Sequence, residues 1–131
     1  MISGKSKKIS QLFDKILEAD SDIKGMILLS NEGLVMVSTF KTGIKEEAVA
    51  AMTAGLSASV TRFLKGMEWN DLSNIILTCS KEYILIKNID GVGLLATLTK
   101  SNVNWETICS HINYAVSIID FLIKPLWAES P

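Results

Sequence analysis

The segment from Ile44 to about Lys65 constrains the fold most, because it contains no proline and is rich in alanine. It predicts a helix of about six turns, which Gly66 is expected to end. When successive residues are placed 100° apart, one narrow apolar stripe emerges that is long enough to cover a sheet. This stripe consists of Val49, Met52, Leu56, Val60, Phe63 and Met67.

The opposite side of this helix lacks the charges of an ordinary solvent-facing surface. It carries Ala50, Ala51, Ala54, Gly55, Ser57, Ala58 and Thr61, and its long polar residues Glu47, Arg62 and Lys65 lie near the ends. Small side chains let another backbone approach closely, and a glycine inside a helix costs about 1 kcal/mol relative to alanine. We therefore predict a partner-contact face made of Glu47, Ala50, Ala51, Ala54, Gly55, Ser57, Ala58, Arg62 and Lys65. The alternative is that the alanines only favour helix on a solvated surface.

Helical and strand patterns fill the rest of the chain and predict one domain over residues 1–131. The expected elements are helix 8–19, strands 23–30 and 34–40, helix 44–65, strands 72–79, 83–89 and 92–99, and a final helix over 105–123. Asn31 and Gly33 are expected to supply positive φ angles in the first hairpin, and Pro125 to stop the last helix. The fold class is α+β, with a five-stranded, mainly antiparallel sheet and helices over both faces. Residues 1–7 and 126–131 are expected to be frayed termini.

The strand over residues 72–79 bears on self-association. Its centre, Ile75 to Leu77, is apolar without alternation, and an apolar edge strand is a liability unless another chain pairs with it. The predicted dimer edge consists of Leu72, Ser73, Asn74, Ile75, Ile76, Leu77, Thr78 and Cys79. Alternatively, the strand is central and buried on both faces.

Charge and composition exclude several classes of function. The formal net charge is −1, with 13 basic and 14 acidic residues mixed along the chain, so no footprint for nucleic acid is present. No apolar run approaches the roughly 20 residues that span a bilayer, and the N-terminus lacks a signal-peptide pattern, so we expect a cytoplasmic protein without membrane insertion. Cys79 and Cys109 lack metal-site spacing and do not form a site with the lone His111. Both cysteines are expected to be small buried apolar residues.

No pattern of catalytic residues or of cofactor binding is present. The chain has no phosphate-binding GxxxxGK[ST] loop, and Gly91-Val92-Gly93 has no following helix. Arg62 is the only arginine and lies late on the contact helix, where we expect it to make a rim contact or an ion pair with an acidic residue. The alternative is an arginine finger that contacts a partner's phosphates. We therefore expect no enzyme activity, no metal and no cofactor.

Three segments together resemble the roadblock family of dynein light chain relatives. They are IKGMILLSNEGLVMVS at 23–38, EEAVAAMTAGL at 46–56 and YILIK at 83–87, and the resemblance covers about residues 8–124. It implies a dimer whose third strands pair across a two-fold axis, with the second helices antiparallel on one face and the other two helices on the opposite face. In bacterial polarity regulators of this family, the composite surface binds a Ras-like GTPase and stimulates hydrolysis. Other members act only as scaffolds.

The resemblance thus implies a dimeric scaffold, built from two copies or from two related subunits, for a Ras-like small GTPase. Two alternatives remain at this stage. A tethering subunit would dimerise without touching a GTPase. A sensor or trafficking domain of the profilin-like, longin or PAS type has similar elements, but it needs a pocket with convergent polar groups, and the strands offer only scattered Asn, Thr and Tyr83.

Overall fold

Eight elements follow one another in the order that the sequence predicts. A computed structural model describes residues 3–41 and 43–124. The elements are α1 (Ser3–Ala19), β1 (Ile23–Leu29), β2 (Val35–Phe40), α2 (Glu46–Gly66), β3 (Asn74–Thr78), β4 (Glu82–Ile89), β5 (Gly93–Lys100) and α3 (Trp105–Ile123). Helix α1 begins at Ser3 and so includes residues 3–7, whose fraying stays a prediction. The expectations for residues 1–2, for the stop at Pro125 and for residues 126–131 lie outside the described residues.

All five strands form one antiparallel sheet, which confirms the predicted fold class. Their order across the sheet is β2-β1-β5-β4-β3, so β1 and β5 are central and pair with each other although they are far apart in sequence. Every residue from Gly93 to Thr99 is buried, as expected for a strand covered on both faces. The two other strands of the second half continue outward from β5, and β3 forms an edge. The alternative of a central β3 is therefore wrong.

The two faces of the sheet have separate cores. Alternate residues of β1 point to opposite faces, so that Met26 and Leu28 pack with α1 and α3, whereas Ile27 and Leu29 pack with α2. Phe13 is fully buried in the first of these cores. The layers are thus two helices, the sheet and one helix, as the family resemblance implies.

Local capping and turn residues match the sequence in part. Asn104 caps α3, because its Oδ1 accepts a hydrogen bond from the Thr107 N–H at 3.3 Å. In the first hairpin Gly33 has φ +94°, and the Ser30 N–H donates to the Leu34 carbonyl at 2.8 Å. Asn31 is not in the positive-φ region, so its predicted role is wrong. One positive-φ residue is sufficient because a three-residue hairpin loop needs a left-handed residue only at its last position. Here the Gly33 N–H closes the turn by donating to the Ser30 carbonyl at 3.0 Å, and the Ser30 hydroxyl also accepts from the Leu34 N–H at 3.0 Å.

The expectation that both cysteines are buried is also wrong. Cys79 follows the edge strand and Cys109 lies on a side of α3 that faces away from the core, so both are exposed. Within residues 3–41 and 43–124, no three His, Cys, Asp or Glu side chains come together as a metal site. None of the described helices is both long and apolar enough to cross a membrane.

Candidate functional site

Helix α2 packs on the sheet through a different side from the one its periodicity predicts. Val49, Ala50, Thr53 and Ala54 are its buried residues. Most of the predicted sheet-facing stripe is half-buried or exposed: the Phe63 side chain keeps 65% of its surface, and Met52 and Met67 are exposed as well. The prediction that this stripe is core holds for Val49, which is buried, and for Leu56, which packs against the core, but it is wrong for Met52, Phe63 and Met67. The prediction that Ala50 and Ala54 belong to an outer contact face is also wrong.

A close approach between α2 and the first hairpin explains this orientation. A Cβ atom added to Gly33 would lie 3.1 Å from the Ala54 Cβ and 3.8 Å from the Ala50 carbonyl oxygen. Only small side chains fit at this separation, because protein interiors pack at nearly the density of organic crystals. The small residues Ala50 and Ala54 thus let the helix sit close to the sheet, and the larger apolar residues turn away from it.

The outward side of α2 is a stripe of small and apolar residues, which we call the α2 outer stripe. Its members recur at spacings of three and four, as in a helix that packs along another helix. They are Ala48, Ala51, Met52, Gly55, Ala58, Ser59, Arg62 and Phe63, all of them exposed. Gly55 lies at its middle, and a Cβ added there would have nothing within 4 Å. Among the residues that the structure describes, no close contact within one subunit explains why this position is a glycine.

The end of α2 places two further apolar side chains beside this stripe. The Trp69 N–H donates to the Leu64 carbonyl at 2.9 Å and the Glu68 N–H to the Lys65 carbonyl at 3.1 Å. These two bonds form a Schellman cap, in which Glu68 occupies with φ +61° the position usually taken by glycine. Met67 and Trp69 are exposed at this cap, and sequence periodicity missed Trp69 because it lies beyond the helix.

No strand among the described residues pairs with the outer edge of β3. The Ser73 carbonyl accepts from Asn88 and the Cys79 N–H donates to Glu82, so odd-numbered residues direct their backbone groups toward β4. Backbone groups alternate along a strand, and those of Asn74, Ile76 and Thr78 therefore point away from the sheet. The Ile76 side chain is 52% exposed. The predicted edge residues Leu72, Ser73 and Cys79 flank this strand without belonging to it.

The charged members of the predicted contact face lie at the two ends of α2. Glu47, Arg62 and Lys65 are all exposed, and residues 48–61 between them carry no charge. Arg62 is held against its own helix, because its Nη2 donates to the Ser59 hydroxyl at 3.2 Å. No described carboxylate lies within 4.0 Å of Arg62, so the ion pair considered from sequence is not formed within the described residues.

The family model described as Roadblock/LC7 domain matches residues 9–99. The chain belongs to the Roadblock/LC7 family. The match spans α1 through nearly all of β5, so it includes α2 and the β3 edge. A comparison with curated protein sequences finds no match.

Several solved structures share this Roadblock/LC7 fold. Myxococcus xanthus MglB is 19% identical with a TM-score of 0.82, covering 96% of this chain and 98% of that one. The Roadblock/LC7 domain from Streptomyces avermitilis is 15% identical with a TM-score of 0.78, covering 88% and 98%. A structure described as MglB with tetrameric arrangement is 10% identical with a TM-score of 0.79, covering 89% and 88%. At these low sequence identities, the similarity to the solved structures shows the fold alone.

The Roadblock/LC7 fold brings together some of the predicted site residues and separates others. Ala51, Gly55 and Ala58 lie together on the exposed side of α2. Ile76 is exposed on the edge strand, but its side chain faces the α3 side of the sheet, where it lines a cleft with Cys109 and Ile112. Ser57 is half-buried, and Ala50 and Ala54 lie under the helix. The exposed members combine with apolar residues assigned from sequence to the core, and the resulting surface is largely uncharged.

Proposed function

We propose that this chain forms a dimer in which the β3 edges of two copies, or of this chain and a related Roadblock/LC7 subunit, pair across a two-fold axis. The observation that carries the proposal is the outer β3 edge, with which no described strand pairs. In the chain this edge follows the α2 outer stripe, whose one charged member is Arg62. An unprotected apolar edge strand is stable in solution only when it is covered or paired. The tetrameric arrangement of one MglB structure supports self-association as a property of this fold.

The orientation of the backbone groups limits this pairing to a few registers, and a register centred on Ile76 engages all three outward-pointing residues of β3. Asn74, Ile76 and Thr78 direct their N–H and C=O groups outward, and Ile76 is the middle residue of β3. A two-fold axis beside Ile76 pairs it with the Ile76 of the second copy, and Asn74 with the second copy's Thr78. Both residues of each pair then exchange backbone hydrogen bonds, as in an antiparallel ladder.

The same two-fold axis brings the α2 helices of two copies side by side. The small residues of the α2 outer stripe allow a close crossing, and burying Met52 and Phe63 removes large apolar surface from water. Gly55 lies midway along this stripe, at the position where two antiparallel helices approach most closely. This arrangement gives Gly55 the close contact that it lacks within one subunit.

A Ras-like small GTPase is the proposed partner of the paired α2 helices. The partner class is taken from the family resemblance, and the largely uncharged surface with Glu47, Arg62 and Lys65 at its ends supplies apolar contact with a polar rim. The chain would act by binding, as a scaffold or regulator. We propose that a stimulating effect on hydrolysis would use the GTPase's own catalytic residues; in the subunit alone, Arg62 donates a hydrogen bond to Ser59 of its own helix. A dimer in the cytoplasm is the setting we propose.

Titration with Ras-like GTPases from the same organism tests the partner. Each GTPase is loaded with GDP or with a non-hydrolysable GTP analogue and titrated with the full chain by calorimetry. We expect at least one to bind with a Kd of about 1–10 μM, typical of a transient interface. A dimer that binds none of them in either state contradicts the regulator and favours the tethering subunit. Sedimentation showing only monomer at tens of micromolar contradicts both.

Replacing Gly55 with leucine tests the α2 outer stripe. The added side chain meets open space in one subunit, so the fold should remain stable, whereas a close helix crossing should be obstructed. We expect the dimer or GTPase Kd to rise by about 10- to 100-fold, measured by sedimentation and calorimetry. Ser110→Leu is the matched control, since Ser110 is exposed on α3 across the sheet. If both variants and the parent chain have equal affinities, the α2 outer stripe is a solvated surface and not a contact face.

A further inference from the structure

A second apolar surface lies on the other side of the sheet, along the seam between α1 and α3. We call it the α1–α3 groove. It is a cleft of about 330 Å³, and its floor is formed by Leu12 and Ile16 of α1 and Ile118 of α3. Leu12 and Ile16 are buried, whereas Ile118 is half-buried. The surface proposed for dimerisation and GTPase binding leaves this groove open.

The α1 wall of the groove is basic. Lys8 and Lys15 line it, and neither amine has a described carboxylate within 4.0 Å. The carboxylates of Asp14 and Glu18, on the same helix, line a different cleft with Thr39 and Lys41 of β2. At one end, His111 Nε2 lies 3.4 Å from Asp20 Oδ2. No aspartate or glutamate lines the groove within the described part of the chain. The charge of the α1 wall is therefore positive.

The α3 wall is apolar and aromatic. Tyr114 and Ile118 line the groove, and Phe121 continues the same helical stripe three residues further on. Tyr114 is 58% exposed and Phe121 is 81% exposed. Such side chains are enriched where proteins bind one another, because they bury a large area at a low cost in conformational entropy. Packing among residues 3–41 and 43–124 leaves both aromatic side chains exposed.

We propose that the α1–α3 groove binds an amphipathic helix of another protein, with acidic side chains along one flank. The helix would place its apolar face on Leu12, Ile16 and Ile118, and its carboxylates beside Lys8 and Lys15. The lining residues of α1 run from Lys8 to Ala19, a span of about 16 Å. This length fits about three turns of a docked helix, whose anchors recur at spacings of three, four and seven.

The shape of the surface favours a helix over a lipid bilayer. The apolar floor lies in a cleft between two helices, where a third helix packs as in a bundle. A flat bilayer would contact the protruding Tyr114 and Phe121 but would not reach the floor at Leu12 and Ile16. The proposed partner and a GTPase would sit on opposite faces of the sheet, so the chain would hold both at once.

Binding of designed peptides tests the charge and shape of the groove. The probe is an 18-residue fluorescent helix with leucine at heptad positions a and d, glutamate at e and g, and alanine elsewhere. Matched probes carry lysine in place of glutamate, or the acidic sequence scrambled. Using fluorescence anisotropy with the full chain, we expect saturable binding of the acidic helix, and at least tenfold weaker binding of both matched probes.

Substitutions in the chain test whether the peptide binds in the α1–α3 groove. Lys15→Glu and Tyr114→Ser are each expected to weaken the acidic helix about tenfold. Lys81→Glu makes the same charge change at an exposed turn and should leave the Kd within about twofold. Amide chemical-shift changes in the full chain should concentrate at Lys15, Tyr114 and Ile118. Circular dichroism and sedimentation check that each variant keeps the fold and the oligomeric state.

Four results would overturn the proposal. The first is no saturable binding up to 500 μM of the acidic helix, and the second is a Kd that Lys15→Glu and Tyr114→Ser leave unchanged. The third is a shift map centred on α2. The fourth is binding to vesicles containing 30% phosphatidylserine that Lys15→Glu abolishes, in the absence of peptide binding, because the surface would then bind lipid.

Discussion

Replacing Ile76 with proline is expected to dissociate the proposed dimer while leaving each subunit folded. The Ile76 N–H points away from β4, so proline removes no hydrogen bond of the subunit's own sheet. In the dimer, the substitution removes two symmetry-related hydrogen bonds and inserts a ring at the axis. With about 0.5–1.5 kcal/mol for each bond and a steric term, the loss is about 2–4 kcal/mol. The dimer Kd should rise about 30- to 700-fold, measured by sedimentation equilibrium.

Two other substitutions at this edge are its controls. Ile76→Val keeps the N–H and a β-branched side chain, so the variant should dimerise nearly as well as the parent chain. Ile75→Pro removes an N–H that points toward β4, and the subunit itself should become less stable. If Ile76→Pro remains dimeric with an unchanged Kd, the β3 edge is not the interface. If Ile75→Pro is as stable as the parent, the orientation assigned to the edge is wrong.

Replacing Gly93 with alanine is expected to lower the free energy of unfolding by about 3–5 kcal/mol. A Cβ at Gly93 would lie 2.1 Å from the Leu29 carbonyl oxygen, and Gly93 has φ +154°. The clash is with the backbone of the central strand β1, which cannot move aside without disturbing its pairing with both β2 and β5. Because domains of this size are stable by only about 5–15 kcal/mol, this is a large part of the total.

Urea unfolding and thermal melts measure this loss. We expect the midpoint temperature to fall by about 10–20 °C for Gly93→Ala. Gly55→Ala is the matched control, because a Cβ there meets nothing within 4 Å in one subunit and alanine favours helix by about 0.5–1 kcal/mol. Unfolding is measured at chain concentrations below the dimer Kd, so that the stability of the subunit is separated from the free energy of association. A Gly93→Ala chain as stable as the parent would contradict the close approach of β5 and β1.

The β3 edge shows how far sequence reasoning reaches and why it stops. The apolar run at Ile75 to Leu77 predicts a strand correctly, but a central strand and an edge strand of this length have the same local pattern. The difference lies in the long-range pairing of β1 with β5. Strand β1 then lies between β2 and β5, and β5 lies between β1 and β4, so that β3 is left outermost. No periodicity in residues 72–79 carries that information.

Helix α2 shows a limit of a different kind. Its sequence is apolar or small almost all the way round, so two different sides satisfy the helical period, and the bulkier stripe looks like the core. The close fit of Ala54 under Gly33 decides the orientation in favour of the smaller side. Met52 and Phe63, interpreted from sequence as core, are therefore part of the exposed surface. The Schellman cap at Glu68 was equally unpredictable, because glycine is the usual residue at that position.

The sequence alone determined the number, type and order of the elements, the amphipathic sides of α1 and α3, and the resemblance to the roadblock family. These features are local: they depend on spacing, turn residues and caps within a few positions along the chain. The tertiary structure decided which strand is exposed at the edge, which side of α2 faces outward, and that α1 and α3 enclose a groove with one basic and one aromatic wall. Each of these depends on contacts between residues far apart in sequence, and such contacts are set by packing rather than by periodicity.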